Sequence, residues 1–171
     1  MTTLNSHTFV VIWVARLSIG ALLLIGGLGK LYYMTDFRKI VDAYKLIPKS
    51  WTSSFALALA ISECVCGSLL FVPRLSGVAG FFAAGLFGLF IVAISANLLR
   101  GRTKLACGCF GKRMQLLSWF TVLRNFALSG VAVVATGRLS VVPFFLVLAY
   151  VVATLGRIAQ RPKTFVADAA S

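Results

Sequence analysis

The chain has 171 residues, 60% of them hydrophobic and 12% charged, with 17 Lys and Arg against four Asp and Glu and a formal net charge of +13. Its apolar residues gather into runs long enough to cross a hydrocarbon layer about 30 Å thick, which makes this an integral membrane protein with no room for a soluble domain. The Lys and Arg residues fall mostly between those runs, so the charge reads as topology and attraction to acidic lipid head groups, and no nucleic-acid partner is expected.

The first run, Thr8 to Leu31, lacks a basic leading region and a small-residue cleavage site, so it reads as a retained span and not a signal peptide. Arg16 lies inside it and Lys30 at its end. Both side chains are long enough to snorkel to the interface, which is the expected behaviour of each, with a role for Lys30 in orienting the loop thiols as a second reading. The next segment, "YYMTDFRKIVDAYKLIPKSW", sets Phe37, Ile40, Val41, Tyr44 and Leu46/Ile47 at helical spacing among Asp36, Arg38, Lys39, Asp42 and Lys45. That pattern predicts an amphipathic helix at the membrane surface.

The second span, Trp51 to Val72, carries "ECVC", Glu63 to Cys66. A lone cysteine in an apolar helix is usually a small hydrophobe, but this pair shares its C-x-C spacing with the chain's two other cysteines. Residues two apart on an α-helix point about 200° away from each other, so either the helix is locally broken before Gly67 or, as the preferred reading, Cys64 and Cys66 meet partners elsewhere, the obvious ones being Cys107 and Cys109. Glu63 is the only acid inside a span, and such a group is costly unless paired or functional. It adjoins Cys64 and lies three residues before Cys66 on the same face, where it can pass protons to and from sulfur.

The third span runs from Leu75 to Leu99. It leads into "NLLRGRTKLACGCFGK", where Gly108 and Gly111 free the backbone around Cys107 and Cys109, and Lys104, Lys112 and Arg113 favour thiolate over thiol. The fourth span, Leu116 to Thr136, contains Arg124 at a depth similar to that of Glu63 and is read as its counter-charge. Asn125 is placed to bond across the same interface or to cap a kink. A fifth span, Leu139 to Gly156, precedes a tail. Pro73 and the Gly137-Arg138 pair mark tight hairpins. The whole is expected to be all-α, a polytopic bundle of about five transmembrane helices plus one surface helix, forming a single domain over residues 1–160 with a cytoplasmic tail at 161–171.

Twelve Lys and Arg fall on one side of these spans and two, Arg74 and Arg138, on the other. The positive-inside rule then puts the N-terminus outside and the "CGC" loop at the cytoplasmic face of the inner membrane. Zinc suits C-x-C pairs poorly, one of them at depth in lipid. Thiol–disulfide exchange fits better, since a thiolate attacks a disulfide through a mixed disulfide that a second thiol resolves. A relay or transporter for soft ions such as Cu(I) or Hg(II) stays open, as does a quinone-linked thiol oxidase.

"GLGKLYYMTDFRKIVDAYKLIPKSW", "ISECVCGSLLF", "NLLRGRTKLACGCFG" and "LRNFALS" together resemble the MauE (methylamine utilisation) family, relatives of the DoxX-like membrane proteins, from Gly26 to Ser129. "CGCFG" is the most specific element, and Cys107 and Cys109 match the family's loop cysteines. The resemblance implies a polytopic bundle that handles disulfides for exported proteins alongside a thioredoxin-like partner, in amine dehydrogenase maturation. With the residues, it leads to an oxidoreductase whose catalytic groups are Cys64, Cys66, Cys107, Cys109, Glu63 and Arg124. A cytoplasmic thioredoxin-like reductant supplies electrons, and an exported thioredoxin-like protein accepts them. No cofactor beyond redox-active disulfides is required, a quinone being the alternative. Cys64 lies about 20 Å along its helix from the cytoplasmic end, so loop and helix must approach each other during turnover.

Overall fold

A computed structural model describes residues 6–102, Leu105 and residues 117–136. Cys107, Cys109, the expected fifth span and the tail lie outside the described residues. The described residues form five α-helices: α1 (Ser6–Tyr32), α2 (Met34–Ala43), α3 (Lys49–Leu70), α4 (Ser76–Leu99) and α5 (Trp119–Val134). Three of them, α1, α3 and α4, are long and apolar enough to cross a membrane, and α5 is a shorter apolar helix. The bundle is thus all-α and multi-pass, and its helices fall where the hydrophobic runs put them. Large apolar side chains such as Ile25 (68% exposed), Phe82 (64%) and Leu123 (64%) point outward, as lipid-facing residues do.

Packing between spans depends on small residues, because lipid tails compete with side chains for apolar contact and close backbone approach must supply the difference. α1 lies along α3. A methyl group on Gly67 would sit 2.9 Å from the Gly20 carbonyl oxygen, and one on Gly27 would sit 3.0 Å from the carbonyl of Ala60. Gly20 opposite Gly67 and Gly27 opposite Ala60 define an antiparallel register. α4 packs on α5 in the same manner through Ser76, Gly80, Ala84 and Gly88, spaced four apart and all buried. A methyl on Gly80 would come within 2.9 Å of the Ala132 carbonyl, and Ser129 donates a hydrogen bond to the Ala84 carbonyl at 3.3 Å.

Local chemistry fixes where helices stop. Gly101 adopts a left-handed φ of 73° just past α4. The Gly101 N–H bonds back to Leu98 O at 2.9 Å and the Arg102 N–H to Asn97 O at 3.0 Å, the paired closure that satisfies the last carbonyls of a helix. Ser118 caps α5 by accepting from the Thr121 N–H. The Leu117 N–H donates to the Leu105 carbonyl at 3.0 Å, which ties together the two stems of the segment carrying Cys107 and Cys109.

The amphipathic α2 docks on the end of the bundle where α1 ends and α3 begins. Phe37 packs with Ala56 and Leu59 of α3, and Tyr44, its C-cap residue, packs with Ile94 of α4 and Leu117. An apolar cavity of about 250 Å³ remains between α2, α3 and α4. The helix expected to lie on lipid therefore covers protein with its apolar face. Arg16 also differs from expectation. It does not snorkel: its Nε donates to the Ala135 carbonyl at the C-terminal end of α5, 2.9 Å away, and its guanidinium lies over Trp13. A cation at that end complements the carbonyls exposed there.

A candidate thiol site beside a buried ion pair

Glu63 is 1% exposed, in the middle of α3. A carboxylate there needs a partner, and the partner is Lys30, also 1% exposed, whose Nζ donates to both oxygens of Glu63. Two expectations are revised here. Lys30 does not snorkel, and it is Lys30 that forms the close ion pair with Glu63, the place expected for Arg124. The physical reason lies in the direction of helical side chains, which tilt toward the N-terminus of their own helix. Lys30 stands near the C-terminal end of α1, so its stem leans inward along the bundle. Glu63 on antiparallel α3 leans the opposite way, and the two meet.

The ammonium group is further enclosed by two aromatic faces, Phe37 of α2 at 5.5 Å and Phe90 of α4 at 4.9 Å from the ring centroids. A cation over a desolvated ring gains roughly 2 kcal/mol. Docking of α2 thus closes the site: Phe37 covers the lysine from the bundle's end. Arg124 comes to the same place from α5. Together with Leu22, Leu23, Gly26, Phe87, Phe90, Asn125 and Leu128, it lines a cavity of about 10 Å³ beside Glu63, the size of a single water. Asn125 bonds within its own helix, donating to the Thr121 carbonyl at 2.8 Å.

The two span cysteines are both free thiols and face different neighbours. Cys64 Sγ sits against α1, where a methyl on Gly27 would lie only 2.6 Å from it. Glycine at 27 makes the room for that sulfur. Cys66 instead lines a groove of about 330 Å³ between α3 and α4, with Ser62, Phe81, Phe82, Gly85, Leu86 and Leu89. The divergence anticipated from helical geometry is present, and α3 remains unbroken through Gly67.

Structure therefore brings together Glu63, Cys64 and, across the small cavity, Arg124, and it adds Gly27 and, beside Glu63, Lys30, for which the sequence suggests only a secondary role toward the loop thiols. Cys66 shares the helix but opens on another face. The lysine's signal was available: a basic residue at the inward-leaning end of a span, followed on α2 and α4 by aromatic rings and preceded by Gly26, Gly27 and Gly29.

A family model described as "Methylamine utilisation protein MauE" matches residues 8–138. The chain belongs to the MauE family. It is 35% identical to the methylamine utilization protein MauE of Paracoccus denitrificans over 135 residues, 78% of this chain and 73% of that one. The MauE proteins of Paracoccus versutus (36% identity, 74% of this chain and 69% of the relative) and Methylophilus methylotrophus (38%, 69% and 63%) are similar to it to the same degree. No solved structure matches. The matched region covers α1 to α5, so both the Lys30–Glu63 pair and the thiols of this MauE chain belong to the part it shares with its relatives.

Proposed function

We propose that this MauE-family chain is a thiol–disulfide oxidoreductase of the inner membrane. A cytoplasmic thioredoxin-like dithiol reduces a disulfide between a loop cysteine (Cys107 or Cys109) and a span cysteine (Cys64 or Cys66), and the loop and span thiols so released reduce the disulfide of an exported thioredoxin-like protein, re-forming the loop–span disulfide. Each step exchanges one dithiol for one disulfide. Two electrons and two protons move together, and no external oxidant is needed. The relatives carry methylamine utilisation in their name, and the same process is the setting proposed for this chain.

The observation that carries the reading is the arrangement at Glu63 and Cys64: a free thiol in a membrane bundle, adjoining a buried carboxylate that is itself held by a lysine. Such a cluster costs stability in a purely structural helix and suits a group that must gain and lose protons. Because Cys64 and Cys66 face different sides of α3, each takes its disulfide partner from elsewhere, and the loop thiols are the partners available in the chain. The basic residues Arg38, Lys39, Lys45, Lys49, Arg100 and Arg102 flank the same end of the bundle, which supports a cytoplasmic position for the loop between α4 and α5.

Trapping tests the proposal. Single variants Cys107→Ser, Cys109→Ser, Cys64→Ser and Cys66→Ser should stall exchange and accumulate mixed disulfides with thioredoxin-like proteins, resolved on non-reducing gels. A set that traps none rejects it.

A further inference from the structure

A thiolate inside a membrane bundle faces the same difficulty as any isolated buried ion: the cost of removing it from water must be met by a counter-ion. We propose that Lys30 is that counter-ion, and that Cys64 ionises when Lys30 exchanges its pairing with Glu63 for one with the sulfur. The inference rests on the thiol-exchange reading above and assigns its chemistry to a residue outside the cysteine motifs.

In the resting arrangement Cys64 is a neutral thiol and Glu63 a carboxylate bound by the Lys30 ammonium. On activation the Cys64 S–H bond breaks and its proton forms an O–H bond on Glu63. The ammonium keeps its protons and turns from the carboxylate to the sulfur. The three groups carry zero net charge before and after, so the transfer leaves their summed charge unchanged. The ammonium's flexible four-carbon stem makes that turn inexpensive.

Geometry selects Cys64 for this role over Cys66. Cys64 Sγ rests on α1 at Gly27, and Lys30 lies three residues further along α1, on the same side of the helix. Cys66 opens instead on the groove between α3 and α4, away from α1. The elements around the pair bring Phe37 from α2 and Phe87 and Phe90 from α4. From α5 comes a charged group, Arg124, which lines the cavity next to Glu63. The aromatic walls keep water from competing for the ammonium, so its pairing decides which of the two acids is ionised.

The test is the alkylation rate of Cys64 by N-ethylmaleimide across about pH 6 to 9, a range that brackets ordinary thiol ionisation. It uses the full chain in proteoliposomes with Cys66, Cys107 and Cys109 replaced by serine. Lys30→Met should slow the reaction at neutral pH about tenfold, one decade in thiolate fraction. Glu63→Gln should speed it by a similar factor, because the lysine is then left to the sulfur, and Lys30→Arg should stay within about threefold of the parent. A chain with Cys66 as its sole cysteine should show no response to Lys30→Met.

The opposed signs are the signature, since a merely structural ion pair, once broken, loosens the bundle in both variants and moves both rates the same way. Equal directions, or no change in Glu63→Gln, overturn the proposal even if Lys30→Met fails to fold. The trapping experiment is independent. Mixed disulfides with a flat alkylation profile would leave the function standing and remove the role of Lys30.

Discussion

Replacing Lys30 by methionine keeps an unbranched apolar stem one atom shorter and removes its charge and donors, which makes it the sharpest probe of how this bundle is held. Both members of the pair are 1% exposed, and both oxygens of Glu63 bond to the ammonium. Removing one partner of a buried ion pair typically costs about 3–5 kcal/mol, because the other is left charged in an apolar setting. Protonation of the abandoned carboxylate recovers part of this, so Lys30→Met should lose about 3 kcal/mol. Replacing both members by apolar side chains removes the penalty at its source, and the double variant Lys30→Met with Glu63→Leu should return to within about 1 kcal/mol of the parent. Reversible unfolding by SDS titration in mixed micelles, followed by tryptophan fluorescence, reads each step of this cycle. A single variant as stable as the parent, or a double variant no better than the single, would refute the pairing and the mutual inward lean of the two side chains.

Other outcomes follow from the same packing. Gly67→Ala places a methyl 2.9 Å from the Gly20 carbonyl and should cost about 1–3 kcal/mol in the same titration, while Gly85→Ala, with nothing within 4 Å, should be neutral or mildly stabilising. A cysteine introduced by Gly27→Cys should cross-link oxidatively to Cys64 in a chain lacking the other cysteines, as judged by a protease-resistant linkage between α1 and α3. It should not cross-link to Cys66 when that is the sole native cysteine. In intact cells a membrane-impermeant maleimide should fail to label Cys107 or Cys109 as sole cysteines, and labelling from outside would invert the topology and the direction of electron flow.

The spans among the described residues were legible because their runs of apolar residues are long and the break at Pro73, between α3 and α4, is chemically plain. The divergence of Cys64 and Cys66 was equally accessible, since it depends on nothing but 3.6 residues per turn. Partner choice was harder. Glu63 and Arg124 match in depth, and depth was the quantity the sequence offered. The structure brings Arg124 to the cavity beside Glu63 but gives the ion pair to Lys30, which starts nearer the membrane surface and reaches inward. The inward lean of side chains at a C-terminal helix end decides this, and it counts only once α1 and α3 are known to be antiparallel neighbours in register. Docking of α2 was hidden for a related reason. An amphipathic pattern states that one face seeks an apolar surface without stating whether that surface is lipid or protein, and here Phe37 finds Ala56 and Leu59.

Transfer of reducing equivalents across a bilayer tests the proposed function most directly. Proteoliposomes carrying the full chain would enclose an oxidised thioredoxin-like acceptor, with reduced thioredoxin and its reductase outside, and the thiols of the enclosed acceptor would be counted over time. Reduction of the acceptor in the presence of the chain, lost in Cys107→Ser and in Cys64→Ser, is the predicted result. An acceptor that stays oxidised, or one reduced equally well by a chain without cysteines, would contradict it.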